Sequence, residues 1–117
     1  MVLKTFYYLC AIDCAVYKFD VFIYKIQNMV NFSLEGKIAL VTGASYGIGF
    51  AIAKGFAQAG ATIVFNDIRQ ELVDKGIAAY EAEGVRAYGY VCDVTSEEQV
   101  NALVARIEKE VGVIDIL

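Results

Sequence analysis

The segment Thr42-Gly43-Ala44-Ser45-Tyr46-Gly47-Ile48-Gly49 places three glycines directly behind an apolar run, a spacing suited to holding an anion. Gly43 lets the chain turn sharply, while Gly47 and Gly49 remove the Cβ atoms that would keep a diphosphate away from the helix behind them. The first N–H groups of that helix, and the positive end of its dipole, then face whatever sits in the turn. Two acids follow. Asp67 stands 24 positions after Gly43, near the roughly 20-residue offset at which a carboxylate meets an adenosine ribose in strand-turn-helix nucleotide sites. Asp93, with Val94 beside it, closes a later apolar run and is a candidate for the adenine end of the same ligand. An Asp-x-Thr/Ser stretch before a helix also reads as ordinary capping.

These residues need a scaffold of alternating strands and helices. Ile38 to Thr42 is a short continuous apolar run, the mark of a strand buried on both faces of a parallel sheet. A helix over about Tyr46 to Ala59 follows, with Ile48, Ile52 and Phe56 at spacing four as its inward stripe and Gly60 as its stop. Thr62 to Asp67 is a second strand. Gln70 to Glu83 is a second helix burying Leu72, Val73, Ile77 and Tyr80, with Gly84 after it. Val85 to Val91 is a third strand. Ser96 and Gln99 form a capping box for a third helix whose inner stripe is Val100, Leu103, Val104, Ile107 and Val111, and Gly112 closes it. Val113 to Leu117 then begins a fourth strand. Right-handed crossovers between such elements give a parallel sheet. The expected fold class is α/β, the N-terminal half of a doubly wound parallel (Rossmann) sheet in strand order 3-2-1-4, ending within its fourth strand, with a ligand crevice opening where the order reverses.

Composition narrows the possible chemistry. At 117 residues the chain suits one small domain, against roughly 200 to 250 for a complete α/β dinucleotide enzyme. A net charge of −4 argues against a nucleic-acid or anionic-membrane surface. The chain has no histidine, which removes a histidine general base, a Ser-His-Asp triad and the common histidine-containing zinc sites. Three cysteines, an odd number, give no disulfide framework and no metal pairing, and suit a reducing, cytoplasmic setting. Seven of the 15 aromatic residues crowd before Met29, together with Cys10 and Cys14. The uncharged run there, Thr5 to Ile12, is too short for a membrane span of about 20 apolar residues and marginal for a signal peptide. Residues 1–28 therefore read as an extension upstream of a natural start at Met29, and residues 29–117 as a partial nucleotide-binding domain.

Taken in order, strand, glycine turn, helix, second-strand acid and third-strand acid resemble the short-chain dehydrogenase/reductase family. Thr42 to Gly49 is similar to its TGxxxGIG signature, Cys92-Asp93-Val94 to its third-strand aspartate, and Ile114 to Leu117 to its fourth strand. Within the family, Asn31 to Lys37 and Phe65 to Ile68 are most similar to the bacterial gluconate 5-dehydrogenases, with the 3-oxoacyl-carrier-protein reductases close behind. The resemblance implies an oxidoreductase acting on a hydroxyl or keto group, usually homo-oligomeric, with a small-molecule substrate handled only in a full-length form. It implies a dinucleotide held by Gly43, Ser45, Tyr46, Gly47, Ile48, Gly49, Asp67, Asp93 and Val94. NAD is favoured over NADP, because Asp67 would repel a 2′-phosphate and the positions where the NADP forms carry a basic residue hold Tyr46 and Ile68. Arg69 is the one cation near enough to reach such a phosphate.

The family's catalytic tyrosine is followed four residues later by a lysine. In this chain the residues four beyond Tyr7, Tyr8, Tyr17, Tyr24, Tyr46, Tyr80, Tyr88 and Tyr90 are Ala11, Ile12, Val21, Asn28, Phe50, Gly84, Cys92 and Val94, so no catalytic residue is assigned. The chain is therefore expected to be inactive alone. Two alternatives stand beside this reading: a nucleotide-binding module without catalysis, which keeps the glycine turn, and an S-adenosylmethionine methyltransferase, which also places an acid after its second strand but spaces its glycines differently.

Overall fold

The computed structural model describes residues 32–117. The aromatic-rich segment 1–28, the boundary at Met29 and the pair Cys10 and Cys14 lie outside the described residues. From Ile38 the chain runs β1 (Ile38–Thr42), α1 (Gly47–Gln58), β2 (Thr62–Asp67), α2 (Gln70–Ala82), β3 (Ala87–Val91) and α3 (Glu97–Glu110). Among the described residues no helix is long and apolar enough to cross a membrane.

The three strands are parallel in the order β1-β2-β3, with Ile38 opposite Thr62 and Ile63 opposite Ala87. On the far side of β1, Ala39 forms a parallel bridge with Ile116. Leu40 N donates to Ile116 O at 2.8 Å and Ile116 N to Ile38 O at 3.1 Å. The order is thus 3-2-1-4, and the chain forms half of a doubly wound sheet. The fourth strand expected over Val113 to Leu117 is reduced to that single bridge. The Asp115 carboxylate helps to hold the segment: its Oδ2 accepts from Ile38 N at 2.9 Å.

β2 is central and covered on both faces, so Ile63, Val64 and Phe65 are fully buried in succession. Alternation divides the core in two. Ala39, Ile63 and Phe65 pack with Ala53, Val73 and Tyr80, while Leu40, Val64 and Tyr90 pack with Leu103 and Ile107 from α3. Of the predicted stripes, α2 buries Val73 and Tyr80 and α3 buries Leu103 and Ile107, while Leu72, Ile77, Val100, Val104 and Val111 are half-buried.

α1 departs from expectation. Ala53 is its fully buried residue, with Phe50, Phe56 and Ala57 packed against the core, whereas Ile48 is 82% exposed and Ile52 46% exposed. Spacing four identified a coherent face, but small residues let the opposite face press closer to the sheet. β3 begins two residues later than predicted. The predicted capping box of α3 is half formed: Ser96 Oγ accepts from Gln99 N at 3.4 Å, but Gln99 Oε1 accepts from Asp93 N at 3.0 Å. The Ser96 N–H is already committed to Asp93 O, which redirects the glutamine one turn outward.

Candidate functional site

The carboxyl ends of the three strands are joined beyond their last ladder pairs. Gly43 N donates to Asn66 O and Cys92 N to Asp67 O, each at 2.9 Å, and Asn66 Nδ2 donates to Cys92 O at 3.2 Å. The glycine turn, Asp67 and Asp93 therefore share one rim of the sheet. Between them lies a crevice of about 310 Å³ whose lining includes Gly43, Asn66, Asp67, Cys92, Asp93 and Val94.

Gly43 and Gly47 take φ values of +63° and +68°, a left-handed backbone that L side chains rarely adopt. Gly49 serves close approach instead: a Cβ there would stand 2.9 Å from Gly43 O and 3.0 Å from Ala44 Cα. α1 therefore begins pressed against the turn. Its N-cap, Tyr46, makes no side-chain capping bond, and its first turn holds no acid. By contrast, α3 has a serine cap with Glu97 and Glu98 in its first turn, and α2 has Glu71. The dipole of α1 is the one left without a compensating acidic side chain.

Two buried polar atoms at this end lack a protein partner, Ser45 Oγ and Asn66 Oδ1. An unpaired buried polar atom costs about 1–3 kcal/mol, so this arrangement suits an incoming hydrogen-bonding group. Asn66 received no role from sequence, although an amide at the end of the buried run Ile63-Val64-Phe65 is a visible irregularity.

The acids differ in their commitments. Asp67 Oδ1 accepts from Ile68 N at 2.8 Å. Asp93 Oδ1 accepts from both Thr95 N at 2.9 Å and Thr95 Oγ1 at 2.7 Å, and these bonds hold its carboxyl below the ordinary aspartate range. Asp93 thus closes a local turn over Thr95 ahead of α3, whose N-cap is Ser96 and not Asp93. Burial, reinforced by the neighbouring Asp93 charge, pushes the Cys92 thiol up, so it stays protonated and poorly nucleophilic.

Ile48 and Gly49 do not line the crevice that holds the acids. With Val41, Thr42, Ile52, Phe56 and Leu117 they line a second cleft of about 450 Å³ that no acid borders. Thr42 borders both. The turn thus stands between a cleft with acids and a cleft without, and Tyr46, 68% exposed, lies open at its top.

The profile of the short chain dehydrogenase family matches residues 37–117. The chain belongs to this family. A short-chain dehydrogenase described as 2-dehydro-3-deoxy-D-gluconate 5-dehydrogenase, from Formosa agariphila, is 54% identical over 87 residues, covering 74% of this chain and 33% of that protein. A gluconate 5-dehydrogenase from Gluconobacter oxydans is 50% identical over 86 residues, covering 74% of this chain and 34% of its own length. The crystal structure of 2-keto-3-deoxy-D-gluconate dehydrogenase from Streptococcus agalactiae superposes with a TM-score of 0.72 at 70% identity, covering 73% of this chain and 32% of that one. The chain spans about a third of the length of these relatives. Membership in the short-chain dehydrogenases implies a nicotinamide dinucleotide cofactor.

Proposed function

We propose that this chain is the NAD-binding portion of a short-chain oxidoreductase acting on a hydroxyl or keto group of a sugar acid. The observation that carries the reading is the glycine turn set between a crevice bordered by two acids and a cleft bordered by none. A dinucleotide has a matching layout, with a diphosphate between two nucleosides, of which the adenosine ribose offers its hydroxyls to a carboxylate. In this reading Ser45, Tyr46, Gly47 and Gly49 receive the diphosphate on backbone N–H groups, Gly43, whose own N–H is held by Asn66 O, gives the turn its shape, and the unpartnered Ser45 hydroxyl and Asn66 carbonyl supply further polar contacts at that rim. Asp67 accepts from the adenosine ribose. Asp93 and Val94 border the adenine, with Asp93 Oδ1 remaining on Thr95. Ile48 lies beneath the nicotinamide side. The cofactor, when bound, supplies hydride transfer; these residues bind and orient it.

The sugar-acid class is supported by the names of the relatives at 54% and 50% identity. NAD over NADP is supported by the position of Asp67 at the crevice. A carboxylate about 4 Å from a phosphate repels it by about 1 kcal/mol per charge pair even in water, so NADH should bind about tenfold more tightly than NADPH. Fluorescence titration of the chain with both nucleotides tests this. Asp67→Asn should narrow the gap to within about threefold by weakening NADH and strengthening NADPH. Equal affinities in the unsubstituted chain would refute the cofactor choice, and no binding of either would refute the site. With NAD and gluconate, the chain alone is expected to show no turnover, since none of its tyrosines has a lysine four residues on.

A further inference from the structure

The glycine turn is held from beneath as well as from the helix side. Tyr80 is fully buried, and its hydroxyl donates to Ala44 O at 2.8 Å across 36 positions of chain. Its ring packs between Phe50 of α1 and Phe65 of β2, at centroid distances of 4.6 and 5.0 Å. Gly76, one helical turn earlier on the same face of α2, lets the helix come close enough for this reach. A Cβ at Gly76 would stand 3.0 Å from Ser45 Cα and 2.8 Å from the Phe65 ring. α2 therefore meets the turn twice, by an absent side chain at Gly76 and by a hydroxyl at Tyr80. Burial pushes that hydroxyl up to about 12, so it remains a protonated donor at physiological pH.

We propose that Tyr80 is a positioning residue for the anion turn, its hydroxyl fixing the orientation of the Ala44–Ser45 peptide and so aiming the Ser45 N–H. This rests on the reading of the turn as a diphosphate site. The peptide is planar and trans, so its C=O and the following N–H point in opposite directions. With Ala44 O drawn down onto Tyr80, the Ser45 N–H is turned away from the core. Gly49 presses on the same peptide from the α1 side, its Cβ position lying 3.0 Å from Ala44 Cα. Without the hydroxyl, the buried Ala44 carbonyl has reason to rotate toward another donor, and the population of correctly aimed turns falls. Apparent affinity falls with that population.

The test is Tyr80→Phe, which keeps the ring and removes the donor. ADP and NADH should bind about three- to tenfold more weakly, the range a single hydrogen bond spans, while adenosine, which lacks the diphosphate, should change less than about twofold. Tyr90→Phe removes a hydroxyl bonded to Glu110 instead, and should leave all three affinities unchanged. Unchanged ADP binding in Tyr80→Phe, or ADP and adenosine weakened alike, overturns the proposal. Amide hydrogen exchange of the ligand-free chain decides the matter independently of any cofactor. Faster exchange confined to residues 43–49 supports the clamp, and loss of protection throughout β1, β2 and β3 overturns it in favour of a purely structural role. Failure of the unsubstituted chain to bind ADP or NADH would remove the cofactor reading, yet the exchange pattern would still decide whether Tyr80 fixes the turn.

Discussion

Two glycines of α1 give a matched test of the packing at the site. Gly55 has nothing within 4 Å of the position a Cβ would occupy, whereas at Gly49 that position meets Gly43 O at 2.9 Å, Ala44 Cα at 3.0 Å and the Ala44 Cβ at 3.2 Å. Alanine in a helix interior is better than glycine by about 0.5–1 kcal/mol, so Gly55→Ala should stabilise the fold by about that amount. Gly49→Ala gains the same propensity but must displace backbone, which no rotamer change can relieve; overpacking of this kind costs about 1–3 kcal/mol. The same substitution six positions apart in the sequence should therefore differ by about 1–3 kcal/mol, with Gly55→Ala the more stable. Urea unfolding followed by circular dichroism measures both. For a body of this size each kcal/mol shifts the melting temperature by about 4–8 °C, so the two variants should melt several degrees apart. Gly49→Ala should also weaken NADH binding beyond any effect of instability at the assay temperature, because the displaced atoms are those of the turn itself. Equal stability of the two variants would show that the turn is not pressed against α1 and would undo the close-approach argument.

Asp115→Ala should destabilise by about 1 kcal/mol, the loss of one hydrogen bond to a half-exposed carboxylate, because Ile38 N is left without its acceptor; Asp115→Asn, which keeps an oxygen there, should recover most of it, and urea midpoints for the pair check the difference. Alkaline stability should fall late. Burial raises the Tyr80 and Tyr90 hydroxyls from 10.0 to about 12, with the Glu110 hydrogen bond adding to the shift at Tyr90. Folded-state values above the unfolded ones mean a contribution fully present below pH 10 and lost as pH rises through about 12. Melting temperature should hold up to about pH 10 and drop beyond it, with tyrosinate absorbance appearing in a late stage that Tyr80→Phe and Tyr90→Phe each reduce; a drop that neither substitution softens would count against the assignment.

What the sequence made legible follows from the kind of signal each element carries. β2 runs Thr62–Asp67 as read, because a strand covered on both faces leaves an uninterrupted apolar run bounded by a glycine and an acid. α2 and α3 were legible because each packs a single face on the sheet, so period and burial agree. α1 was misread for a physical reason: it has two apolar faces, and periodicity cannot say which one meets the sheet. Ala53 and Phe50 meet it, while Ile48 and Ile52 border the cleft that also contains Leu117. Contacts between distant segments were hidden altogether. Nothing near Tyr80 in the sequence announces that its hydroxyl reaches Ala44, and nothing near Asn66 announces an amide bonded to Cys92 O on one side and unpaired on the other.

The same distinction bears on the site's chemistry. The glycines are conspicuous because they are constrained locally, by a turn and a close approach, and their meaning survives in a linear reading. The groups that give the turn its direction are constrained from a distance, through α2 below and the ends of β2 and β3 beside it. On the proposed reading, a peptide plane pinned at Ala44 O by a buried hydroxyl, and a strand end knitted to its neighbour by a buried amide, would hold the donors of the turn in place before any ligand arrives. Rigidity of that kind raises affinity by lowering the ordering cost of binding, without adding a contact to the ligand. On that reading Tyr80 and Asn66 belong to the proposed site as much as Gly43 and Gly47 do, though Tyr80 lines neither cleft.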